Sequence, residues 1–235
     1  NQIIIKIINS LNDLVMKMLA LIMKYAWIGL GAYFASQVGS FGINITADYL
    51  KVFIYYSIIS IIFAGVFYSI IAILCNKNLK NFWKESMPVI ATSFSTCSSA
   101  ATIPVNINSC KKLKIDNDVT NVAIPLGTNF HKDGSIIDCV FKIMFLVYLF
   151  NKPINIITIL GVSLLSALLI SAVPIGGGTV SEMFIITSLG FPIESLAILT
   201  IIATITDAPA TMLNSLGNTV AALFTNKFLE KKSVD

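Results

Sequence analysis

Ser171-Ala172-Val173-Pro174-Ile175-Gly176-Gly177-Gly178-Thr179 cuts through an apolar run that covers residues 154–189. A proline and three glycines end any helix, since the ring removes an N–H and glycine carries the largest backbone entropy cost. Neither half of the run can cross a bilayer alone, which takes about 20 apolar residues. The run therefore reads as a re-entrant hairpin, two short helices turned back at an irregular tip. Such a tip is tolerated at membrane depth only where protein or a water-filled cavity covers it. A second run, residues 87–107, is broken in the same way by Thr96-Cys97-Ser98-Ser99-Ala100-Ala101-Thr102 and then by Pro104.

Around these two runs lie continuous apolar stretches at residues 14–35, 52–74, 119–150 and 193–224. The order is span, span, hairpin, span, hairpin, span, so the last four elements repeat a hairpin-plus-span unit. Interrupted segments at matching positions of two halves point to a carrier's binding site. The composition agrees. Of 235 residues, 56% are hydrophobic and 12% charged, about half the charge that a water-soluble surface carries. The chain reads as an all-α membrane protein with transmembrane helices and two opposed re-entrant helical hairpins, not as a soluble enzyme or a nucleic-acid binder. Its net charge of +4 comes from Lys without any Arg. Nine Lys flank the first hairpin and the C-terminus (77, 80, 84, 111, 112, 114, 227, 231 and 232), against Lys51 and Lys152 on the other side. That asymmetry places the first hairpin's base and the C-terminus in the cytoplasm, and the second hairpin then enters from outside. A multi-pass protein of a bacterial inner membrane is expected. Cys75, Cys97, Cys110 and Cys139 lack metal-type spacing and read as free buried thiols. The chain opens at Asn1 inside an apolar element, and an upstream segment is expected.

Polar residues at mid-depth carry the chemistry. Asp207, Thr211, Asn214 and Asn218 follow at spacings of four, three and four, so they share one helix face. An aspartate there costs about 2.5 kcal/mol or more to insert and marks a functional site. His131, Ser135, Asp138 and Lys142 repeat the same spacing, with Asp138 and Lys142 placed to pair. Lys132 adjoins Asp133 and is expected to neutralise it, directly or through a bend at Gly134, where local unwinding is expected. The first tip offers the Ser98 and Ser99 hydroxyls and the N–H groups of a helix N-terminus, which hold a carboxylate. No Ser lies in a nucleophile elbow of the GxSxG type, and enzymatic activity is not expected.

At these residues the chain resembles the dicarboxylate/amino acid:cation symporter family, the glutamate transporter family. The likeness begins near Met23-Lys24-Tyr25-Ala26-Trp27-Ile28-Gly29 and runs to the C-terminus. It rests on the serine-rich tip, on Pro125-Leu126-Gly127 with Asp133-Gly134-Ser135, on Val173-Pro174-Ile175-Gly176-Gly177-Gly178, and on Asp207-Ala208-Pro209-Ala210-Thr211-Met212-Leu213-Asn214. The resemblance implies a homotrimer in the lipid membrane, with a fixed scaffold and a moving transport domain gated by the two hairpins. Residues 1–49 would be partial scaffold helices and 50–235 the transport domain, the family's early helices being absent. It places Ser99 and the Cys97 carbonyl at the first gate, next to the Ser98 hydroxyl, and Val173 and Gly177 at the second. Ser135 would face the substrate. Asp207 would hold its ammonium, and Thr211 and Asn214 its carboxylate and amide edges. Gly127, His131 (through its carbonyl), Asp133, Asn214 and Asn218 fall on sodium-binding positions. No organic cofactor is implied, only a coupling cation, sodium or proton.

Four positions depart from the family pattern. Its Asn-Met-Asp-Gly core reads His131-Lys132-Asp133-Gly134, which brings a fixed ammonium where a cation would pass. The last sodium carboxylate becomes Asn218, and the arginine that recognises an acidic side chain becomes Ala210. The expectation is a secondary symporter carrying a small neutral amino acid, or a dicarboxylate, with a cation by alternating access. A proton-coupled or sodium-independent carrier and a non-transporting membrane protein are the alternatives.

Overall fold

A computed structural model describes residues 44–170 and 178–232, with isolated helical positions between 6 and 39. The chain divides into two compact units, Asn1–Ala47 and Asp48–Asp235. The described residues are helical and contain no strand.

Helix α1 (Asn44–Phe63) passes through a π-helical turn (Ala64–Tyr68) into α2 (Ser69–Leu74). Thr46–Leu74 is one of two stretches, among the described residues, that are long and apolar enough to cross a membrane. Its outer face exposes Ile54, Ile58, Ile61, Ile62, Phe67 and Ile70. Its inner face turns tyrosines inward, Tyr56 and Tyr68 both being buried. The π turn inserts extra backbone into one helical turn, a distortion often found at functional sites, and Tyr68 closes it.

Next come α3 (Leu79–Thr96) and α4 (Ser99–Lys112). Asn78 caps α3 by accepting from the Asn81 N–H, and Ser98 caps α4 by accepting from the Ala101 N–H. Between them Cys97 holds a left-handed φ of +49°, which closes the turn in two residues. Lys112 at the end of α4 lies 3.6 Å from Glu85 near the start of α3, so the two helices run antiparallel.

The sequence reading treats residues 119–150 as one span, but the structure breaks it into α5 (Asn117–Phe130) and α6 (Asp133–Phe150). His131 is extended at φ −88° and ψ 106°, and Lys132 leaves helical geometry at φ −131° and ψ 42°. The break falls before Gly134, which is helical within the first turn of α6. Glycine is required at 134 for another reason. A Cβ there would stand 2.3 Å from the Ala210 carbonyl oxygen, so α6 and the last helix touch backbone to backbone.

Asn151 ends α6 with a left-handed φ of +46°. Asn155 caps α7 (Ile156–Leu168), and α8 (Thr179–Leu189) ends at Gly190 with φ +64°. Lys152, just before α7, donates to the carbonyls of Leu189 and Gly190 at the end of α8, so this pair is also antiparallel. Its tip, residues 171–177, lies outside the described residues.

The chain closes with α9 (Ser195–Lys232), the second candidate span. It packs against α3, α4, α5, α6 and α8. The core on it is Tyr68, Phe82, Cys110, Ile124, Leu213 and Leu216, with further apolar residues around them. The bases of the two helix pairs lie at opposite ends of α9. The α7–α8 base at Gly190 precedes Ser195. At the other end Asn226 accepts from the Asp116 N–H, and Lys227 donates to the Leu74 carbonyl. Lys77, by donating to Leu113, joins this second pole, which therefore gathers Lys77, Lys112 and Lys227. The 32 residues from Ser195 to Asn226 rise about 46 Å, comparable to a bilayer with its headgroups.

A buried charge cluster ties α6, α8 and α9. Lys142 sits 2.8 Å from Asp138 and 3.4 Å from Glu182. Thr206 donates to Asp138 at 2.6 Å and Thr200 to Glu182 at 2.8 Å. The Asp138–Lys142 pair follows the four-residue spacing; Glu182 adds a second carboxylate from a distant helix.

Candidate functional site

The polar residues of the broken spans meet along the middle of α9. Ser135 in the first turn of α6 donates its backbone N–H to Asn214 Oδ1 at 3.2 Å, and Asn214 Nδ2 donates back to Ser135 Oγ at 2.9 Å. One α-helical turn earlier Thr211 donates to Asp207 Oδ1 at 3.2 Å. Thr211 and Asn214 are buried, and Asp207 is partly exposed. The shared face expected from the four-three-four spacing is therefore continuous from Asp207 to Asn218.

Helix α4 approaches that face. Asn106 donates to the Ser215 carbonyl at 2.7 Å and accepts from Thr219 Oγ1 at 2.8 Å. Beyond α4, Asp116 meets Asn226. The contacts of α4 thus advance in step with α9, and the two helices run in the same direction. By this register Ser98 and Ser99, about two turns before Asn106, fall within about one helical turn of Asp207. Cys97 and Asp207 lie within electrostatic reach of one another. The Ser98 hydroxyl is committed to capping α4, and its carbonyl accepts from Thr102 Oγ1. Ser99 is buried at the first position of α4. The positive end of a helix dipole and a carboxylate thus stand within about one helical turn in depth.

The second group of predicted residues surrounds the α5–α6 break. Asp133 Oδ2 accepts from the Tyr68 hydroxyl at 2.8 Å and lies 2.9 Å from His131 Nε2. Tyr68 also bridges to the Leu213 carbonyl at 3.1 Å. Tyr56 donates to the Gly134 carbonyl at 2.9 Å. The His131 ring packs so closely on α9 that a Cβ at Gly217 would come within 2.3 Å of Nε2. Gly127 is equally confined, since its Cβ would stand 2.6 Å from the Asn218 amide. That amide, turned to suit its neighbours, donates to the Gly127 carbonyl at 3.1 Å and accepts from the Thr128 N–H at 3.2 Å.

Lys132 departs from the sequence expectation. Its ammonium turns away from Asp133 and donates to the Thr128 carbonyl at 3.1 Å. Helix termini explain the choice: the last carbonyls of α5 have no intrahelical donor and attract positive charge. Asp133 meanwhile is answered by Tyr68 and His131. Nor does His131 share a helical face with Ser135, Asp138 and Lys142, because it precedes α6. Val173 and Gly177 lie outside the described residues.

Sequence reasoning missed Tyr56, Tyr68 and Asn106. The tyrosines offered one signal, a polar handle on large apolar rings in a span where Phe would pack equally well. Asn106, inside an apolar run, offered another.

Several known proteins match nearly the whole chain. An uncharacterized symporter of Haemophilus influenzae is 28% identical over 232 residues, which is 95% of this chain and 52% of that protein. The human excitatory amino acid transporter 2 is 25% identical over 228 residues, 94% of this chain and 40% of the transporter. The proton/glutamate-aspartate symporter of Escherichia coli is 25% identical over 238 residues, 98% and 54%. The chain thus spans about half the length of the curated relatives it matches. The model of the sodium:dicarboxylate symporter family matches residues 1–228, and the chain, with its two opposed helix pairs and the broken α5–α6 span between them, belongs to that family.

Proposed function

We propose that this chain forms the substrate-handling part of an alternating-access membrane carrier for a small, net-neutral amino acid. The observation that carries the reading is the parallel register of α4 and α9, which brings the N-terminus of α4 to within about one helical turn of Asp207. A solute with an ammonium and a carboxylate satisfies both: Asp207 pairs with the ammonium, and the first N–H groups of α4 donate to the carboxylate. Thr211, Asn214 and Ser135 line the face between. Ala210 brings no charge to this face, which favours a neutral side chain over an acidic one.

In this reading α3–α4 and α7–α8 are re-entrant hairpins entering from opposite faces of a cell membrane, with the Lys-rich pole cytoplasmic. Cys97, Ser98 and Ser99 form one gate, and Val173 and Gly177 the other. Residues 50–235 move as a transport domain against a scaffold to which residues 1–49 contribute, in a homotrimer. Coupling to a cation would act at the α5–α6 break, through Gly127, His131, Asp133, Asn214 and Asn218.

The test is uptake of a radiolabelled panel of neutral amino acids, acidic amino acids and dicarboxylates into proteoliposomes, at fixed and imposed ion gradients. Saturable uptake of one or more neutral amino acids is expected. Absence of uptake across the panel would remove the reading.

A further inference from the structure

We infer that the Lys132 ammonium is a built-in cation of this carrier, standing at the broken end of α5 where a free sodium ion would otherwise be held. The inference deepens the carrier reading and rests on it.

In carriers with interrupted helices, coupling cations are held by unwound backbone carbonyls and the C-terminal ends of half-helices. The end of α5 is such a place, and its Gly127 and Thr128 carbonyls face protein donors. The Gly127 carbonyl accepts from the His131 N–H at 2.7 Å and from the Asn218 amide at 3.1 Å. The Thr128 carbonyl accepts from the Lys132 ammonium at 3.1 Å. Asn214 Oδ1 accepts from the Ser135 N–H, and Asp133 Oδ2 is approached by Tyr68 and His131. The Gly127 and Thr128 carbonyls, Asn214 Oδ1 and Asp133 Oδ2 are thus turned to protein hydrogen-bond donors, and one of those donors, on Thr128, is itself a cation.

Charge balance leads to the same point. Asp133 brings the one carboxylate of this group, Asn218 is neutral, and Lys132 adds one positive charge. Lys132 is only 3% exposed, and among the described residues no carboxylate lies within 4 Å of it. A buried ammonium with no ion-pair partner is costly in an apolar bundle and marks a working position. A tethered cation keeps the break electrically complete in every conformation of the carrier, so uptake requires no sodium.

The test is thermal unfolding of the purified full chain in sodium chloride against choline chloride at equal ionic strength, for the wild type and Lys132→Met. A ligand that binds only the folded state raises its melting temperature. The wild type is expected to melt at the same temperature in both salts. Lys132→Met, with the Thr128 carbonyl freed, is expected to gain a sodium-dependent upward shift, and Lys132→Arg to remain insensitive. A sodium-specific shift in the wild type overturns the inference, and so does a Lys132→Met protein that gains none. If Lys132→Met does not fold, the wild type still decides, in unfolding and in uptake with and without sodium. The unfolding readout needs no transported substrate, so a failed uptake panel and a failed cation assignment are told apart.

Discussion

Ser135 and Asn214 bond to each other twice, the Ser135 N–H to Asn214 Oδ1 at 3.2 Å and Asn214 Nδ2 to Ser135 Oγ at 2.9 Å. The pair pins the first turn of α6 to the middle of α9. It also answers a local need, because an N–H in a first helical turn has no intrahelical acceptor. Asn214→Ala removes both bonds and leaves that N–H buried without a partner, a loss of about 1–3 kcal/mol. Ser135→Ala removes one bond and strands only part of an amide, about 1 kcal/mol. Thermal unfolding should rank Asn214→Ala below Ser135→Ala and both below wild type. The reverse order would mean that the Ser135 N–H is satisfied elsewhere.

Tyr68 joins three elements through one hydroxyl, reaching Asp133 on α6 and the Leu213 carbonyl on α9 from the π turn after α1. Tyr68→Phe keeps the ring and its packing and removes a hydrogen bond to a charged group, worth about 1.5–3 kcal/mol. The expected result is a lower melting temperature with folding preserved. Tyr56→Phe removes the bond to the Gly134 carbonyl, a neutral contact, and should cost about 1 kcal/mol. Equal losses in the two variants would show that Asp133 draws no special support from Tyr68.

The periodicity of α9 was legible because an α-helix converts spacings of four, three and four into one face, and Asp207, Thr211, Asn214 and Asn218 do lie on it. The interruption at Cys97 was legible because serines and a proline break an apolar run in the chain itself. The break at His131–Lys132 was not. Gly134 reads as the flexible residue in the sequence, yet it is helical and is needed for contact with Ala210. What opens the chain at 131 is tertiary: the His131 ring packs over Gly217, and Asp133 is captured by Tyr68, 65 residues away. Lys132 departs from the sequence reading for a related reason. Adjacency in sequence favoured Asp133, whereas the free carbonyls at the end of α5 won the ammonium. Glu182 could not be joined to Lys142 from sequence, since 40 residues separate them and no local pattern connects α6 to α8.

That ion cluster sets a further expectation. Lys142 is 1% exposed and serves both Asp138 and Glu182. Removing one member of a buried ion pair strands its partner at about 3–5 kcal/mol. Lys142→Met leaves two facing carboxylates and should abolish stable folding or lower the melting temperature steeply. Adding Glu182→Gln and Asp138→Asn to Lys142→Met neutralises the cluster and should recover a large part of the loss, because contacting residues are not additive. Recovery absent from the triple variant would place the role of Lys142 in packing of its stem, not in charge.

Asp207 stands apart from these structural pairs. Its carboxylate is partly exposed and, among the described residues, is held by the Thr211 hydroxyl at 3.2 Å, so the described fold depends on it little. Asp207→Asn keeps the shape and removes the charge proposed to face the substrate ammonium. The melting temperature should therefore stay close to wild type. Uptake of a neutral amino acid should fall by about tenfold or more in kcat/KM, the equivalent of a lost charge-assisted contact of about 1.4 kcal/mol or more. The loss should appear for every substrate bearing an α-ammonium and be smaller for a dicarboxylate, which has none. A variant that melts normally and transports amino acids with unchanged kinetics would move the ammonium site away from α9, and the pairing of Asp207 with the α4 N-terminus would go with it.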